Sequence, residues 1–309
     1  MNDAARDRSI FLTGGTGFIG RHVMDSLREW RNVTWLTRHA PGKTALSTPE
    51  NWRPLIGDLS EPGSWAAGLE GMDMVVHLAA ATGSASDDEL ERVNVDGTVA
   101  LVRACEKQGV KHILYVSSIA AKYPQLEDYA YGRTKAEAEA VIRQSGLDYT
   151  ILRPTIVLGP ASPIWQRLRS LANAPAIVVF GTGKTRVQPI DVQDVARGIA
   201  LILARSRFAG EVIELGGPEV LTFESLLRRI RLACRGTGDR TPVIHLPAGP
   251  VRRTLSLLGS VLGKRFPVSP GQLAPFLNDG VADTSDLATD LRPDMTSIGD
   301  LLTRLASVR

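Results

Sequence analysis

Ile10-Phe-Leu-Thr-Gly-Gly-Thr-Gly-Phe-Ile-Gly20, near the start of the chain, is the stretch that decides the fold. Its apolar beginning, Ser9–Leu12, predicts a buried strand, and a helical pattern of apolar residues continues through Leu27. The glycines between strand and helix allow a sharp turn, a close approach of the backbone to a pyrophosphate and tight packing of the helix on the sheet. The first N–H groups of such a helix attract a phosphate. We therefore predict a dinucleotide site formed by Gly14, Gly15, Thr16, Gly17, Phe18, Ile19 and Gly20.

The composition is that of a globular chain with a large core. The 309 residues are 43% hydrophobic, which is enough for one large domain or two unequal ones. The formal net charge of +3 is spread along the sequence, which argues against a nucleic-acid-binding surface. We expect the basic residues to serve solvation and phosphate binding.

Two cysteines, Cys105 and Cys234, lie in apolar helical patterns without a metal-binding motif. We interpret them as buried free thiols of a reducing compartment, and we expect no metal site. The first residues lack the apolar stretch of a signal peptide, and no apolar run is long enough to cross a bilayer. The sequence therefore predicts a cytoplasmic protein.

Short apolar strands alternate with amphipathic helices over the first half of the chain. The predicted strands are Ser9–Thr13, Val33–Thr37, Pro54–Ile56, Met74–Leu78, His112–Ser117 and Tyr149–Leu152. The predicted helices are Ile19–Trp30, Pro62–Leu69, Asp87–Gln108 and Tyr129–Ser145. This alternation predicts an α/β fold, a Rossmann-type doubly wound parallel sheet that binds its ligand at the carboxyl ends of the strands.

Loop residues become frequent after Pro154, and the pattern changes. Helices at Ile164–Ala172 and Asp191–Ala204 precede a strand at Glu211–Leu215, which we expect to rejoin the sheet. We predict a dinucleotide-binding domain over residues 1–158, to which residues 187–217 return. Residues 159–186 and 218–309 form a smaller C-terminal substrate lobe in this prediction.

Tyr131 and Lys135 lie four residues apart, so they are neighbours on one face of a predicted helix. Ser117 and Ser118 end a predicted strand, at the edge where a parallel sheet presents its ligand. A phenol is a poor base near neutral pH because its reference pKa is about 10. We expect the lysine charge and a bound nicotinamide to lower the pKa of Tyr131 toward working pH. We predict that Tyr131, Lys135 and one of the two serines are catalytic; the alternative is an ordinary surface Tyr–Lys pair.

Further motifs occur in the order seen in extended short-chain dehydrogenases/reductases, which the chain resembles over about residues 8–220. They are Thr13–Gly20, Gly57-Asp-Leu59, His77-Leu-Ala-Ala80, Asn94-Val-Asp-Gly-Thr98, Val116-Ser-Ser118, Tyr131xxxLys135 and Arg153-Pro154. That group includes NAD(P)-dependent sugar epimerases and dehydratases, so the resemblance implies an oxidoreductase or epimerase/dehydratase-like enzyme acting on a small-molecule substrate. It also implies cofactor contacts from Asp58 and Leu59 at the adenine, from Leu78, Ala79 and Ala80 along the groove, and from Pro154, Thr155 and Ile156 beside the nicotinamide.

Within this group the sequence is most similar to the atypical branch related to the nucleotide-binding accessory subunit of respiratory complex I. The stretches that carry this resemblance are Val116–Ala121, Leu147–Pro154 and Glu214–Pro218. Tyr131 follows Ser118 by only thirteen positions, a spacing typical of that branch, some of whose members have lost catalysis. The short loop argues against a nucleotide sugar held in the usual way. Two hypotheses follow: an enzyme, or a non-catalytic NAD(P)H-binding protein with an assembly or redox-sensing role.

The end of the second predicted strand favours NADP(H) over NAD(H). An NAD enzyme usually carries an acidic residue there, about twenty residues past the glycines, to accept a hydrogen bond from the ribose 2′-hydroxyl. This chain has Thr37, Arg38 and His39, with Lys43 close behind. Because a guanidinium can grip a 2′-phosphate through charge-assisted hydrogen bonds, we predict that Arg38 and Lys43 bind the cofactor, with a hydroxyl contact from Thr37. The alternative is a solvated Arg38 and a site that accepts either cofactor.

Several polar residues have simpler interpretations. Asn94 lies within a long predicted helix, where we expect it to bridge backbone groups near the active site, and we include it among the predicted cofactor-binding residues. We expect His77 to be a structural histidine and Asp191 to be a helix N-cap. Asp58 either contacts the adenine or only caps its turn. The apolar and basic segment 251–265 either touches a membrane or covers the substrate pocket, and oligomerisation stays open.

Overall fold

The computed structural model describes residues 6–40, 48–83, 85–205, 209–236, 240–247, 249, 274–283 and 286–307. Two sequence predictions, the cofactor contact of Lys43 and the role of segment 251–265, lie outside the described residues.

Seven parallel strands form the central sheet. They are β1 (Ser9–Thr13), β2 (Asn32–Thr37), β3 (Arg53–Ile56), β4 (Met74–His77), β5 (His112–Val116), β6 (Asp148–Pro154) and β11 (Glu211–Leu215). The strand order is β11-β6-β5-β4-β1-β2-β3, with the reversal of direction around β1 that defines a doubly wound sheet. The predicted Rossmann-type fold is confirmed, including the return of Glu211–Leu215 to the edge of the sheet.

Ten α-helices occur in the described part of the chain. They are α1 (Phe18–Ser26), α2 (Asp87–Leu90), α3 (Gly97–Gln108), α4 (Ala130–Arg143), α5 (Pro163–Ala172), α6 (Val192–Arg205), α7 (Phe223–Arg235), α8 (Ala274–Leu277), α9 (Asp286–Leu291) and α10 (Ile298–Ser307). The helix predicted over Asp87–Gln108 is interrupted by a π-helical turn at Glu91–Asp96. The helix predicted over Pro62–Leu69 is instead two short 3₁₀ turns, Pro62–Ser64 and Ala66–Leu69.

The core lies on both faces of the sheet because strand side chains alternate between the faces. On one face, Ile10 and Leu12 of β1 pack with residues of α1, α6 and α9. On the other, Phe11 packs with residues of α3 and α4. No helix in the described ranges is long and apolar enough to cross a bilayer.

A third apolar cluster joins α5, α7 and α10 with short strands. The strands pair as β8 (Ile177–Phe180) with β13 (Val243–Leu246), β9 (Arg186–Val187) with β12 (Leu221–Thr222), and β7 (Val157–Leu158) with β10 (Ile190–Asp191). Not all of the predicted lobe packs in this cluster, since Leu287 and Leu291 of α9 belong to the first cluster, against the sheet.

Candidate active site

The glycine-rich loop turns tightly at the carboxyl end of β1. Gly14 has a φ of +74°, and a Cβ there would lie 2.4 Å from the backbone nitrogen of Ala79. A Cβ at Gly20 would lie 2.1 Å from the carbonyl oxygen of Gly14. Helix α1 begins at Phe18 with no side-chain cap and no acidic residue in its first turn. The first N–H groups of α1 therefore suit a phosphate, and the loop fits a dinucleotide.

A chain of hydrogen bonds links the segment after β4, which contacts this loop, to the end of β1 and to α3. Ala79 N–H donates to the Thr13 hydroxyl, which lies 2.7 Å from Nδ1 of His77. Nε2 of His77 lies 3.0 Å from the Thr98 hydroxyl, which donates to the carbonyl of Asn94. Because the Thr98 hydroxyl donates its proton to the Asn94 carbonyl, it can only accept a hydrogen bond from His77. His77 therefore carries its proton on Nε2 and accepts at Nδ1. Burial lowers the pKa of His77 to about 3, so it is neutral, and the predicted structural role is confirmed.

Asn94 joins two parts of the site. Its side-chain oxygen accepts from Ala81 N–H at 2.8 Å, and its amide donates to the Ala81 carbonyl and to the Thr134 hydroxyl. Thr134 lies on α4, so Asn94 holds the segment after β4 against that helix. The predicted bridging role is confirmed, and the π-helical turn places the residue there.

Three half-buried residues, Leu78, Ala79 and Ala80, follow β4 beside Gly14, where the resemblance places the cofactor groove.

Tyr131 and Ser118 meet at the carboxyl ends of the strands. Tyr131 is the second residue of α4, Ser118 follows β5, and the Ser118 hydroxyl lies close enough to the phenol to affect its pKa. The lowering of the Tyr131 pKa expected with a bound nicotinamide stays a prediction, and in the protein without cofactor the shift is upward. Burial raises the pKa of Tyr131, and the Ser118 hydroxyl only partly opposes the rise. Tyr131 is therefore a protonated phenol at neutral pH.

Lys135 lies one turn further along α4 and is 2% exposed. Its Nζ donates to the Tyr115 hydroxyl at 3.1 Å and to the Val116 carbonyl at 2.9 Å. It also lies 4.6 Å from the centre of the Tyr115 ring. Burial lowers the pKa of Lys135 to about 7, against a smaller opposite effect of Glu139. The amine is thus near half-protonation at neutral pH.

Ser117 has a different environment from Ser118. Its hydroxyl is buried and donates to Glu139 at 2.6 Å. Glu139 also forms a two-point ion pair with Arg153, through Nε at 2.8 Å and Nη2 at 2.6 Å. Sequence reasoning missed Glu139 and Tyr115. A carboxylate one turn beyond Lys135, on the face of α4 that carries Ala138 and Ile142, was the available signal.

The predicted adenine end contains Asp58 and Arg38. Asp58 accepts hydrogen bonds from the backbone and hydroxyl of Ser60, so it does cap its turn. The bonds from Ser60 lower the pKa of Asp58, and the charge of Arg38 adds to this effect. Arg38 is exposed at the end of β2. The Thr37 hydroxyl donates to the His39 carbonyl and accepts from His39 N–H. Its proton is therefore already used within the protein and is not available for the predicted hydrogen bond to a cofactor.

Other predicted cofactor residues are engaged within the protein. The Leu59 side chain is 7% exposed and packs in the second core cluster. The Thr155 hydroxyl donates to the Gln188 carbonyl, and Ile156 packs against the third cluster. Pro154 ends β6 and is buried.

The remaining sequence predictions concern caps, thiols and metals. Asp191 precedes α6 and accepts from Gln193 N–H at 3.1 Å, which confirms the N-cap. Cys105 is buried as expected, whereas Cys234 is only half-buried. Among the described residues, no group of His, Cys, Asp and Glu side chains is arranged to hold a metal ion.

A doubly wound sheet with a glycine-rich loop after β1 and a Ser–Tyr–Lys set at its carboxyl edge defines a short-chain dehydrogenase/reductase. Within that superfamily, the chain belongs to the NAD dependent epimerase/dehydratase family, whose model matches residues 10–216.

Two curated relatives are similar over part of their length. The ceramide reductase of Caulobacter vibrioides is 31% identical over 194 residues, which are 60% of this chain and 58% of that protein. The UDP-glucose 4-epimerase of Vibrio cholerae is 32% identical over 183 residues, 51% of this chain and 54% of that protein. The chain thus spans little more than half the length of these relatives. Among solved structures, dTDP-glucose 4,6-dehydratase from Streptomyces venezuelae, with NAD bound, shares the fold with a TM-score of 0.73 at 24% identity, covering 96% of this chain and 95% of that one.

Proposed function

We propose that the protein is an NADP(H)-dependent oxidoreductase or epimerase/dehydratase-like enzyme that acts at a carbinol or carbonyl carbon of a small-molecule substrate. The observation that carries this proposal is the placement of Ser118, after β5, beside Tyr131 at the start of α4, one helical turn from the buried Lys135. The cofactor, when bound, supplies hydride acceptance or donation. The reductase and epimerase activities named for the matched relatives support an enzyme of this class.

Each side chain has a separate role in the proposal. Tyr131 is the acid/base, and its raised pKa leaves a proton ready for donation to a carbonyl oxygen. The Ser118 hydroxyl holds the same substrate oxygen, since it lies close enough to the phenol to affect its pKa. Lys135 binds the nicotinamide ribose and favours the phenolate once Tyr131 has given up its proton. The glycine-rich loop and the start of α1 hold the pyrophosphate.

The preference for NADP(H) rests on charge at the end of β2. Arg38 follows this strand and is exposed, and no acidic residue lies in the described stretch 38–40. A guanidinium there suits a 2′-phosphate, whereas a carboxylate would repel it. Asp58 lies within electrostatic reach of Arg38 and would compete with a phosphate, so the preference depends on Arg38 turning toward the cofactor.

The alternative is a non-catalytic NAD(P)H-binding protein, as in the branch related to the complex I accessory subunit. The short spacing between Ser118 and Tyr131 favours this alternative. The intact Ser118–Tyr131 pair favours the enzyme, because a protein that only binds a cofactor does not need a buried phenol beside a serine.

The Tyr131→Phe variant tests the catalytic proposal, with Tyr129→Phe as a matched control. Tyr129 is one position from α4 and its ring packs edge-on against Tyr131, so both variants remove a phenol from one cluster. A panel of ketones and aldehydes is first screened with the unaltered protein for NADPH consumption. Sugar nucleotides are screened for a changed sugar product, because an epimerase or dehydratase returns its cofactor to the starting state. We expect Tyr131→Phe to slow turnover about 10²- to 10⁴-fold with little change in the NADPH dissociation constant, because only a transferable proton is lost.

Three outcomes contradict the proposal. If the Tyr131→Phe variant keeps most of the rate, the phenol is not the acid/base of the reaction. Equal losses in Tyr129→Phe and Tyr131→Phe point to general disturbance of the cluster. NADPH binding without turnover across the panel favours the non-catalytic alternative.

A further inference from the structure

A buried carboxylate lies directly behind the Tyr131–Lys135 pair. Glu139 is 1% exposed and follows Lys135 by one turn of α4. It accepts hydrogen bonds from Ser117 and from two nitrogens of Arg153, and Arg143 adds an ion pair at 2.7 Å. A buried carboxylate is costly unless it is fully paired, so an apolar residue would fill the space more cheaply. The position therefore calls for an explanation beyond packing.

These contacts tie together three elements that carry the proposed site. Ser117 is the neighbour of Ser118 at the end of β5, and Arg153 is the neighbour of Pro154 at the end of β6. Glu139 holds both strand ends against α4, the helix that carries Tyr131 and Lys135. Because the Ser117 hydroxyl is committed to Glu139, Ser118 is the serine left to face Tyr131.

Glu139 also sets the charge around Lys135. The groups facing Lys135 are the Tyr115 hydroxyl and the Val116 carbonyl of β5 and His77 of β4, which is neutral. Glu139 is the carboxylate that raises the pKa of Lys135 against the effect of burial. Burial alone would raise the pKa of Glu139, but hydrogen bonds from Arg153 and Ser117 bring it below its usual value. Glu139 is therefore ionised throughout the neutral range.

We propose that Glu139 is a positioning residue of this site: it holds Ser117 and Arg153 against α4, and its negative charge favours the ammonium form of Lys135. This inference rests on the proposed role of Lys135 in cofactor binding, but it requires no substrate. Glu139 itself contacts neither cofactor nor substrate in the proposal.

The Glu139→Gln variant tests the inference, with Glu137→Gln as the control. Both residues lie on α4, but Glu137 is a half-exposed partner of Arg133. The measurement is an NMR titration of lysine side chains in the cofactor-free protein, with the Lys135 signal assigned by Lys135→Met. We expect Glu139→Gln to move the Lys135 midpoint to lower pH, because an anion one turn away is lost, while Glu137→Gln leaves it in place. The dissociation constant of NADPH at pH 7 should rise roughly tenfold in Glu139→Gln, since a charge-assisted hydrogen bond is lost.

A second variant keeps the test decisive if Glu139→Gln does not fold. Arg143 is 35% exposed and pairs with Glu139 from the next turn, so Arg143→Gln should fold. Removing this cation leaves the charge of Glu139 less compensated, and the Lys135 midpoint should move to higher pH.

Unchanged Lys135 midpoints in Glu139→Gln, or in Arg143→Gln if only that variant folds, overturn the inference. Failure of the unaltered protein to bind NADP(H) overturns the proposed function instead, and the NMR midpoints still decide the role of Glu139.

Discussion

Replacing Gly14 by alanine should damage the fold and the cofactor site together, and a second glycine separates the two causes. Gly14 and Gly109 have nearly the same backbone conformation, with φ of +74° and +73°. A Cβ at Gly14 would lie 2.4 Å from Ala79 N and 2.6 Å from the Leu78 carbonyl carbon, whereas at Gly109 nothing lies within 4 Å. Both substitutions cost about 1–2 kcal/mol for the left-handed conformation. Only Gly14→Ala adds a clash with backbone that no side-chain rotation can relieve.

We expect the clash to cost a further 1–3 kcal/mol or so, the usual range for overpacking of a tight site. The loss of unfolded-state entropy from Gly to Ala is the same in both variants and cancels in the comparison. Urea unfolding followed by circular dichroism gives the free energies, and a fluorescence titration gives the NADPH affinity. Gly14→Ala should be less stable than Gly109→Ala by at least about 1 kcal/mol and should lose NADPH binding, because the clash falls on Leu78 and Ala79, which we propose line the cofactor groove. Equal stability of the two variants, or full NADPH affinity in Gly14→Ala, would refute this reasoning.

Two further predictions concern Arg38 and His77. Arg38→Ala should weaken NADP(H) binding about tenfold and leave NAD(H) binding nearly unchanged by isothermal titration, because a charge-assisted contact is lost; tighter binding of NAD(H) by the unaltered protein contradicts the assignment. Since folding lowers the pKa of His77 from its ordinary value of 6.5 to about 3, the unfolded chain binds the extra proton between these values. The contribution of His77 to stability should therefore be complete above pH 6.5 and fall as the pH drops toward 3. Urea unfolding at pH 7 and pH 5 should show a smaller pH effect in His77→Gln, and an unchanged pH effect argues against this source.

Local sequence patterns predicted the strands and turns of the fold well, because these elements depend mainly on residues that are close together in the chain. The apolar runs of β1 and β11 have the predicted bounds, and the glycines after β1 form the expected turn. The helix predicted over Asp87–Gln108 failed only at its π-helical turn, where Asn94 binds the backbone of Ala81 across the site. That contact depends on a segment from another part of the fold, which a helical period cannot reveal.

The candidate site shows the same limit more sharply. The spacing of Tyr131 and Lys135 correctly predicted that both residues lie on one helix. The end of a predicted strand correctly gave the position of Ser118, beside Tyr131 at the carboxyl edge of the sheet. The sequence could not choose between Ser117 and Ser118, because the choice depends on Glu139, which is 22 positions from Ser117 in the chain. It also did not predict that burial raises the pKa of Tyr131 in the protein without cofactor.

The sequence by itself determined the alternating strands and helices of the nucleotide-binding half, the glycine turn and the identity of the Tyr–Lys pair, because short-range periodicity and backbone freedom dictate them. Only the tertiary structure decided the charge states of Tyr131 and Lys135 and the partners of Ser117. Those properties depend on desolvation and on charges brought close by folding, and both are set by residues far apart in the chain.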